Sequence, residues 1–279
     1  MRFEKWHGLG NDFVMLDDRD DQLELGPGLV RALCDRRFGI GADGVIRVAP
    51  GTNGGDLRMD YVNSDGSVGE MCGNGIRCLA LFAREHGLIQ ESELKVSTLA
   101  GLKVLSILGD GRVRVDMGAP IFDPGRVPVI WTGGDALRAR VEVAGKSLEV
   151  ACLSMGNPHA VIFTHDPDAL FDLGPEIERH EMFPAKTNVE FVTIESPDRL
   201  RARVWERGAG ATMACGSGAC AVAVAARLLQ GAEPRVVVVL PGGDLEIEWE
   251  GSLDTDAPVL MTGPAQKSFE GEVDLGAYA

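Results

Sequence analysis

Apolar and polar positions alternate along most of this chain in short runs separated by glycine-bearing turns, the pattern of half-buried strands. In the first half, strands are expected at 45–48, 57–62, 94–98, 102–108 and 112–117. Hairpin turns at Leu99-Ala100-Gly101 and Gly109-Asp110-Gly111 join the last three. An amphipathic helix is expected over 27–37, with Pro27 at its start and Gly39 beyond its end. A second is expected over 76–86, stopped by Gly87. The second half repeats the order: a strand at 161–163, a helix within 167–180, and strands at 189–194 and 200–205. A helix then follows Cys215 and ends near Gly231, and 235–240 and 245–249 form a hairpin about Pro241-Gly242-Gly243. Many hairpins with one central apolar helix per half predict an α+β fold of two pseudo-symmetric domains. Each would be a curved, mostly antiparallel, barrel-like sheet wrapped round its helix, although periodicity alone leaves a flatter sheet with a covering helix open. Gly118-Ala119-Pro120 marks the expected junction and Gly263-Pro264 a crossing back. The domains are therefore expected at 1–118, with 264–279 returning to the first, and at 119–263.

The chemistry repeats with the pattern. Cys72-Gly73-Asn74-Gly75-Ile76-Arg77-Cys78 is answered by Cys215-Gly216-Ser217-Gly218-Ala219-Cys220, and each copy opens an apolar helical run. Asn63 lies nine residues before Cys72, and Glu206 lies nine before Cys215. Gly10-Asn11 is echoed by Gly156-Asn157, and Asp43 by Asn188, at nearly constant offset. So long a repeat marks two related domains and not a solenoid.

A formal charge of −15 argues against nucleic acid or an anionic membrane surface as partner and leaves a small zwitterion open. The opening segment has no signal-peptide pattern, and no apolar run approaches the length of a membrane span. Six cysteines in 279 residues are too sparse for a disulfide framework, so a reducing cytoplasm is the expected location.

A thiol just before a glycine-rich helix start lies where backbone N–H groups and the helix dipole favour its thiolate. Two such thiols on matched scaffolds point to an acid–base pair acting on opposite faces of one substrate, the requirement for inverting a carbon centre. Packing alone would need neither the following glycines nor a second copy; Cys34, Cys78, Cys152 and Cys220 read as packing thiols. The spacings Cys-x5-Cys and Cys-x4-Cys are not the Cys-x2-Cys knuckle of structural zinc, so no metal is expected. Nothing marks a Schiff-base lysine, so no cofactor is expected, and a preorganised dry site must hold the developing charge. Asn11, Asn63, Asn157 and Asn188 offer donors and acceptors suited to a zwitterion. Glu206 and Arg207 could read an ammonium and a carboxylate, and His159 could adjust a thiol's protonation.

These residues carry a resemblance to the diaminopimelate epimerases, over essentially the whole chain. Its blocks are His7-Gly8-Leu9-Gly10-Asn11-Asp12-Phe13, the run from Asn63 through Cys72-Gly73-Asn74-Gly75 to Arg77, and Ser154-Met155-Gly156-Asn157-Pro158-His159. Glu206-Arg207-Gly208, Ala214-Cys215-Gly216-Ser217-Gly218, Leu240-Pro241-Gly242-Gly243 and Met261-Thr262-Gly263-Pro264 complete them. The resemblance implies pyridoxal-independent interconversion of LL- and meso-diaminopimelate in lysine and peptidoglycan biosynthesis, in a cleft between two domains. It implies Cys72 and Cys215 as base and acid, with His159 and Glu206 as auxiliary catalytic residues. Asn11, Asn63, Gly73, Asn74, Asn157, Asn188, Glu206, Arg207, Gly216 and Ser217 match substrate-binding positions, and a homodimer is implied. Two positions depart from the family pattern: Gly44, where some relatives carry a substrate-contacting glutamine, and Ala211, often glutamate. They bear on specificity more than on reaction type. The alternatives are a racemase of another amino acid, such as histidine, on the same scaffold, and a thiol redox or binding protein without turnover. Proline racemase relatives also pair cysteines, but the Met71-Cys72-Gly73-Asn74-Gly75 block is closer to the epimerases.

Overall fold

A computed structural model describes residues 1–278. The chain divides into two compact units, Met1–Val115 with the C-terminal segment from Gly263, and Asp116–Thr262. The first contains β1 (Arg2–Gly8), β2 (Asn11–Asp17), α1 (Pro27–Cys34), β3 (Gly44–Pro50), β4 (Leu57–Asn63), β5 (Val68–Gly69), α2 (Gly73–Glu85), β6 (Glu93–Thr98), β7 (Gly101–Ile107) and β8 (Val113–Asp116). The second contains β9 (Ala139–Val143), β10 (Lys146–Ser154), β11 (Pro158–Phe163), α3 (Gly174–Glu178), β12 (Asn188–Ser196), β13 (Arg199–Glu206), β14 (Gly210–Ala211), α4 (Gly216–Leu229), β15 (Arg235–Leu240), β16 (Gly243–Glu248) and β17 (Leu260–Gly263). The last strand, β18 (Gln266–Glu272), returns to the first unit and pairs with β1.

Both units use the same ladder. In the first, the strands run β18-β1-β2-β3-β4-β6-β7-β8, with parallel steps only at β2–β3 and β4–β6. In the second they run β9-β10-β11-β12-β13-β15-β16-β17, with parallel steps at β11–β12 and β13–β15. Every other pairing in these ladders is antiparallel. The parallel steps fall where a crossover must intervene; α2 spans β4 to β6, and α4 spans β13 to β15. One strand is permuted between the copies: the edge beside β1 is supplied by the far C-terminus, and the edge beside β10 by β9, which directly precedes it.

Each central helix is enclosed by its own sheet. Strands from both sides of the first ladder, β18 at one end and β7 next to the other, pack on α2, as do β1 and β2. In the second unit α4 meets β10, β11, β12, β13, β15 and β16. A helix touched from both sides of one ladder requires that ladder to curve about it. The composition of α4 follows: its residues from Gly218 to Ala226 are all buried, and an all-apolar, alanine-rich helix allows strands to approach from every side. Alternating burial in β13 and β16 shows the opposite strand face turned to water.

Several elements differ from expectation. α1 stops at Cys34 because Asp35 turns extended and its Oδ1 accepts the N–H groups of Arg37 and Phe38 at 2.7 and 2.8 Å. The helix expected within 167–180 is present but short, α3, preceded by a 3₁₀ turn over Asp168–Leu173. α2 starts at Gly73, three residues early, with Cys72 as its cap. β1, β2, β10 and β18 carry no clear alternating signal; Phe13, Val14, Met15 and Leu16 on β2 are consecutively and fully buried. Among the described residues no helix is long and apolar enough to cross a membrane.

Candidate active site

Cys72 and Cys215 hold the same place in their units. Each is the N-cap of the central helix, with extended backbone angles (φ −131°, ψ 117° and φ −118°, ψ 114°) and no side-chain cap bond. The first helical bonds run from Ile76 N–H to Cys72 O at 2.8 Å and from Ala219 N–H to Cys215 O at 3.0 Å. A helix start directs its first N–H groups and the positive end of its dipole at this position.

Around Cys72 the partners are amides. Its thiol donates to Asn11 Oδ1 at 3.6 Å, which also accepts from Asn74 Nδ2 at 3.1 Å. Asn11 Nδ2 donates to Asp43 Oδ2 at 2.8 Å, and Arg36 Nη2 bonds Asp43 Oδ1 at 2.7 Å. The same guanidinium grips Asp12, which Lys5 also meets at 2.7 Å. Against the cost of burial, the Arg36 and Lys5 bonds hold the Asp12 carboxyl down at about 2. The helix start is anchored from below by Arg77, fully buried, which donates to Gly73 O and Asn74 Oδ1, both at 3.0 Å, and to Pro264 O at 3.1 Å.

Around Cys215 the partners are charged. Burial pushes its thiol well above the ordinary value, and the charges of Glu206 and Glu190 add to that; bonds from Ser217 and the Gly218 N–H oppose it. The expectation that a helix start favours the thiolate therefore fails at Cys215, because desolvation and two nearby carboxylates outweigh the dipole. Glu206 is itself raised by burial, against bonds from the Thr212 hydroxyl, at 2.6 Å, and the Cys215 thiol. His159 is fully buried on β11, with Nδ1 2.7 Å from Glu190 Oε1 and Nε2 3.0 Å from Asn157 Oδ1. Asn157 Nδ2 reaches Ser217 Oγ at 3.3 Å. Glu206, His159, Asn157 and Ser217 are thus gathered about one thiol, whose surroundings favour its protonated form.

The remaining predicted residues lie nearby in each unit. Asn188, on β12, donates from Nδ2 to Pro158 O at 2.8 Å and accepts the Arg207 N–H at 2.9 Å. The Arg207 side chain is exposed. Asn63 accepts from Tyr61 Oη at 2.6 Å and donates to Ser67 Oγ at 3.0 Å. Gly73 and Gly216 are the buried first residues of α2 and α4.

Ladder register corrects one proposed equivalence. His159 stands opposite Asn188 as Phe13 stands opposite Gly44, and Gly44 stands opposite Asn63. Val189 faces Trp205, so Asn188 lies level with Glu206. Asn63 and Glu206 are therefore true counterparts, but Asn188 answers to Gly44 and not to Asp43. A β-carbon at Gly44 would stand 2.6 Å from Tyr61 Cε2 and 2.7 Å from Val62 O, and one at Gly69 2.3 Å from Tyr61 Cδ1. The two glycines leave a slot that the Tyr61 ring fills.

Four positions that shape these surroundings receive no role in the sequence reading: Arg77, which looks like a surface residue of a helix; Tyr61; Gly218, whose effect is steric; and Glu190, set in an apolar strand.

The profile of the diaminopimelate epimerase family matches residues 3–122 and 151–268. A diaminopimelate epimerase of Desulfitobacterium hafniense is 50% identical over 280 residues, covering 97% of both chains. The chloroplastic enzyme of Oryza sativa subsp. japonica is 50% identical over 284 residues, 97% of this chain and 79% of the relative. Among solved structures, a hydroxyproline epimerase from Agrobacterium vitis superposes with a TM-score of 0.70 at 16% identity, over 98% of this chain and 90% of the other; it shares the fold. With matching glycine-capped thiols in both units and half its residues in common with these relatives, the chain belongs to the diaminopimelate epimerase family.

Proposed function

We propose that this protein interconverts LL- and meso-diaminopimelate by a two-thiol mechanism that needs no pyridoxal. The observation that carries it is the placing of Cys72 and Cys215 at the N-caps of the two pseudo-equivalent central helices, in a chain of this family. One thiolate removes the Cα proton while the other thiol delivers a proton to the opposite face, and the roles exchange in the reverse direction. Cys215, held protonated by its surroundings, is the resting acid, and Cys72, among neutral amides, serves as the base. The N–H groups at the two helix starts would hold the substrate carboxylate while negative charge grows beside it.

Glu206 and His159 act through Cys215, accepting and returning charge as the thiol loses and regains its proton. Asn11, Asn63, Asn74, Asn157, Asn188 and Ser217, with Gly73 and Gly216 at the helix starts, bind the substrate's polar ends. Arg207, whose exposed guanidinium makes one long bond from Nη1 to Ala185 O at 3.4 Å, is suited to a distal carboxylate. The same family likeness supports a cytoplasmic homodimer and a place in lysine and peptidoglycan biosynthesis.

A panel of amino acids followed by circular dichroism tests the reading. Optical change is expected with diaminopimelate and not with histidine or proline, and is lost in Cys72→Ala and in Cys215→Ala. Unchanged turnover in either variant would sink the two-thiol mechanism.

A further inference from the structure

Glu190 is a carboxylate in the wrong kind of place. It lies on β12 between Val189 and Phe191, and all three are fully buried. A lone buried carboxylate is costly unless a charge or a full set of hydrogen bonds compensates it. Its Oε1 meets His159 Nδ1 at 2.7 Å, and its Oε2 has no hydrogen-bond partner. His159, also fully buried, faces a second acceptor, Asn157 Oδ1, at 3.0 Å from Nε2. Asn157 turns its Nδ2 toward Ser217 Oγ, which leaves Oδ1 for the ring. An imidazole with an acceptor at each nitrogen is satisfied only with a proton on both.

The other unit shows what the fold alone requires. By ladder register the counterpart of His159 is Phe13 and that of Glu190 is Ile46, both fully buried. The scaffold is therefore content with an apolar pair here, and the charged pair is peculiar to the Cys215 side. Contact with that side is direct: a β-carbon on Gly218 would stand 2.9 Å from Glu190 Oε1 and 3.3 Å from Cys215 Sγ.

We propose that Glu190 is a positioning residue that holds His159 as an imidazolium, protonated at both ring nitrogens, beside Glu206 and Cys215. The inference rests on the epimerase reading for its catalytic meaning, though not for the protonation state. The titratable groups facing this pair are Glu206 on β13 and Cys215 at the start of α4; the His159 charge favours ionised Glu206, whereas Glu190 opposes it. Glu190 thus supplies the counter-charge that lets a cation persist in a dry core, and the cation steadies the carboxylate that shares a hydrogen bond with the Cys215 thiol.

The test is ¹⁵N NMR of the substrate-free, histidine-labelled protein, with the His159 resonances identified by their loss in His159→Gln. Imidazolium shifts at both nitrogens are expected in spectra recorded at about pH 8. In Glu190→Gln, which keeps the acceptor and removes the charge, the ring is expected to be neutral at that pH. The variant should also lose about tenfold in kcat, less than the roughly hundredfold or more of a group that itself transfers the proton, with KM altered less than about threefold. The alkaline limb of its kcat/KM profile should move about one unit downward. A single-proton ring in the wild type would overturn the proposal, and so would a ring and pH profile unchanged in Glu190→Gln. If the wild type does not turn over diaminopimelate, the epimerase reading fails, while the ring shifts of the free protein still decide the role of Glu190.

Discussion

Gly218 lies so close to Glu190 that a β-carbon on it would stand 2.9 Å from the carboxylate oxygen. At the matching Gly75 the nearest atom is Ile46 Cδ1, at 2.6 Å, followed by Met59 Cε at 3.1 Å. Those are free methyl ends of flexible side chains, whereas Glu190 Oε1 is held by His159. Gly75→Ala is therefore expected to cost little, with the helix gain of about 1 kcal/mol offsetting repacking. Gly218→Ala should destabilise by about 1–3 kcal/mol through overpacking and lower kcat as Cys215 shifts. Urea unfolding and steady-state rates of the two variants check this; equal effects would contradict it.

Tyr61 is wedged between Gly44 and Gly69 and bonds Asn63 at 2.6 Å. Tyr61→Phe keeps the ring and removes that bond, so a rise in KM is expected, with a binding loss of about 1 kcal/mol and kcat little changed. Gly44→Gln, the residue of some relatives, should unfold the site because Val62 O is backbone and cannot yield. Adding Tyr61→Ala, which opens the slot but leaves the Val62 carbonyl in place, should recover only part of the lost stability; thermal melts of the single and double variants check this.

Arg77 donates to Gly73 O, Asn74 Oδ1 and Pro264 O from a fully buried position. Arg77→Met leaves these acceptors without that donor, and a loss of about 3 kcal/mol or more is expected. Because Pro264 follows the return of the chain to the first unit, amide exchange of residues 265–272 should quicken in parallel.

Burial pushes the Cys78 and Cys152 thiols up to about 12. The unfolded chain ionises its thiols near the ordinary value of 9.0, while the folded chain does not. The stability they contribute is thus complete below that pH and is lost as pH rises toward 12, by up to about 1.4 kcal/mol per unit for each thiol. Cys215, raised well above its ordinary value, adds to the same trend. Urea midpoints under reducing conditions should fall from pH 9 to 11, and a flat profile would contradict the burial of these thiols.

Much of the fold was legible because glycine turns and alternation locate hairpins such as β6–β7 and β15–β16. β2 was not: its four consecutive fully buried residues carry no two-residue period. β18 was hidden for the opposite reason, being largely exposed and polar. The thiols and their amide neighbours could be proposed from the duplicated motif. Glu190 could not, since an alternating pattern cannot tell a buried acid from an outward one. The Asn188 counterpart was misjudged because Asp43 adjoins Gly44, and only strand register separates neighbours.

The central claim is proton exchange at Cα between two thiols, and proton NMR of LL-diaminopimelate with the reduced protein in D2O tests it most directly. The account predicts solvent deuterium at Cα together with the meso isomer, and loss of the meso product in Cys72→Ala and in Cys215→Ala. Formation of the meso isomer without deuterium, or no exchange by protein whose thiols are shown to be free, would contradict it.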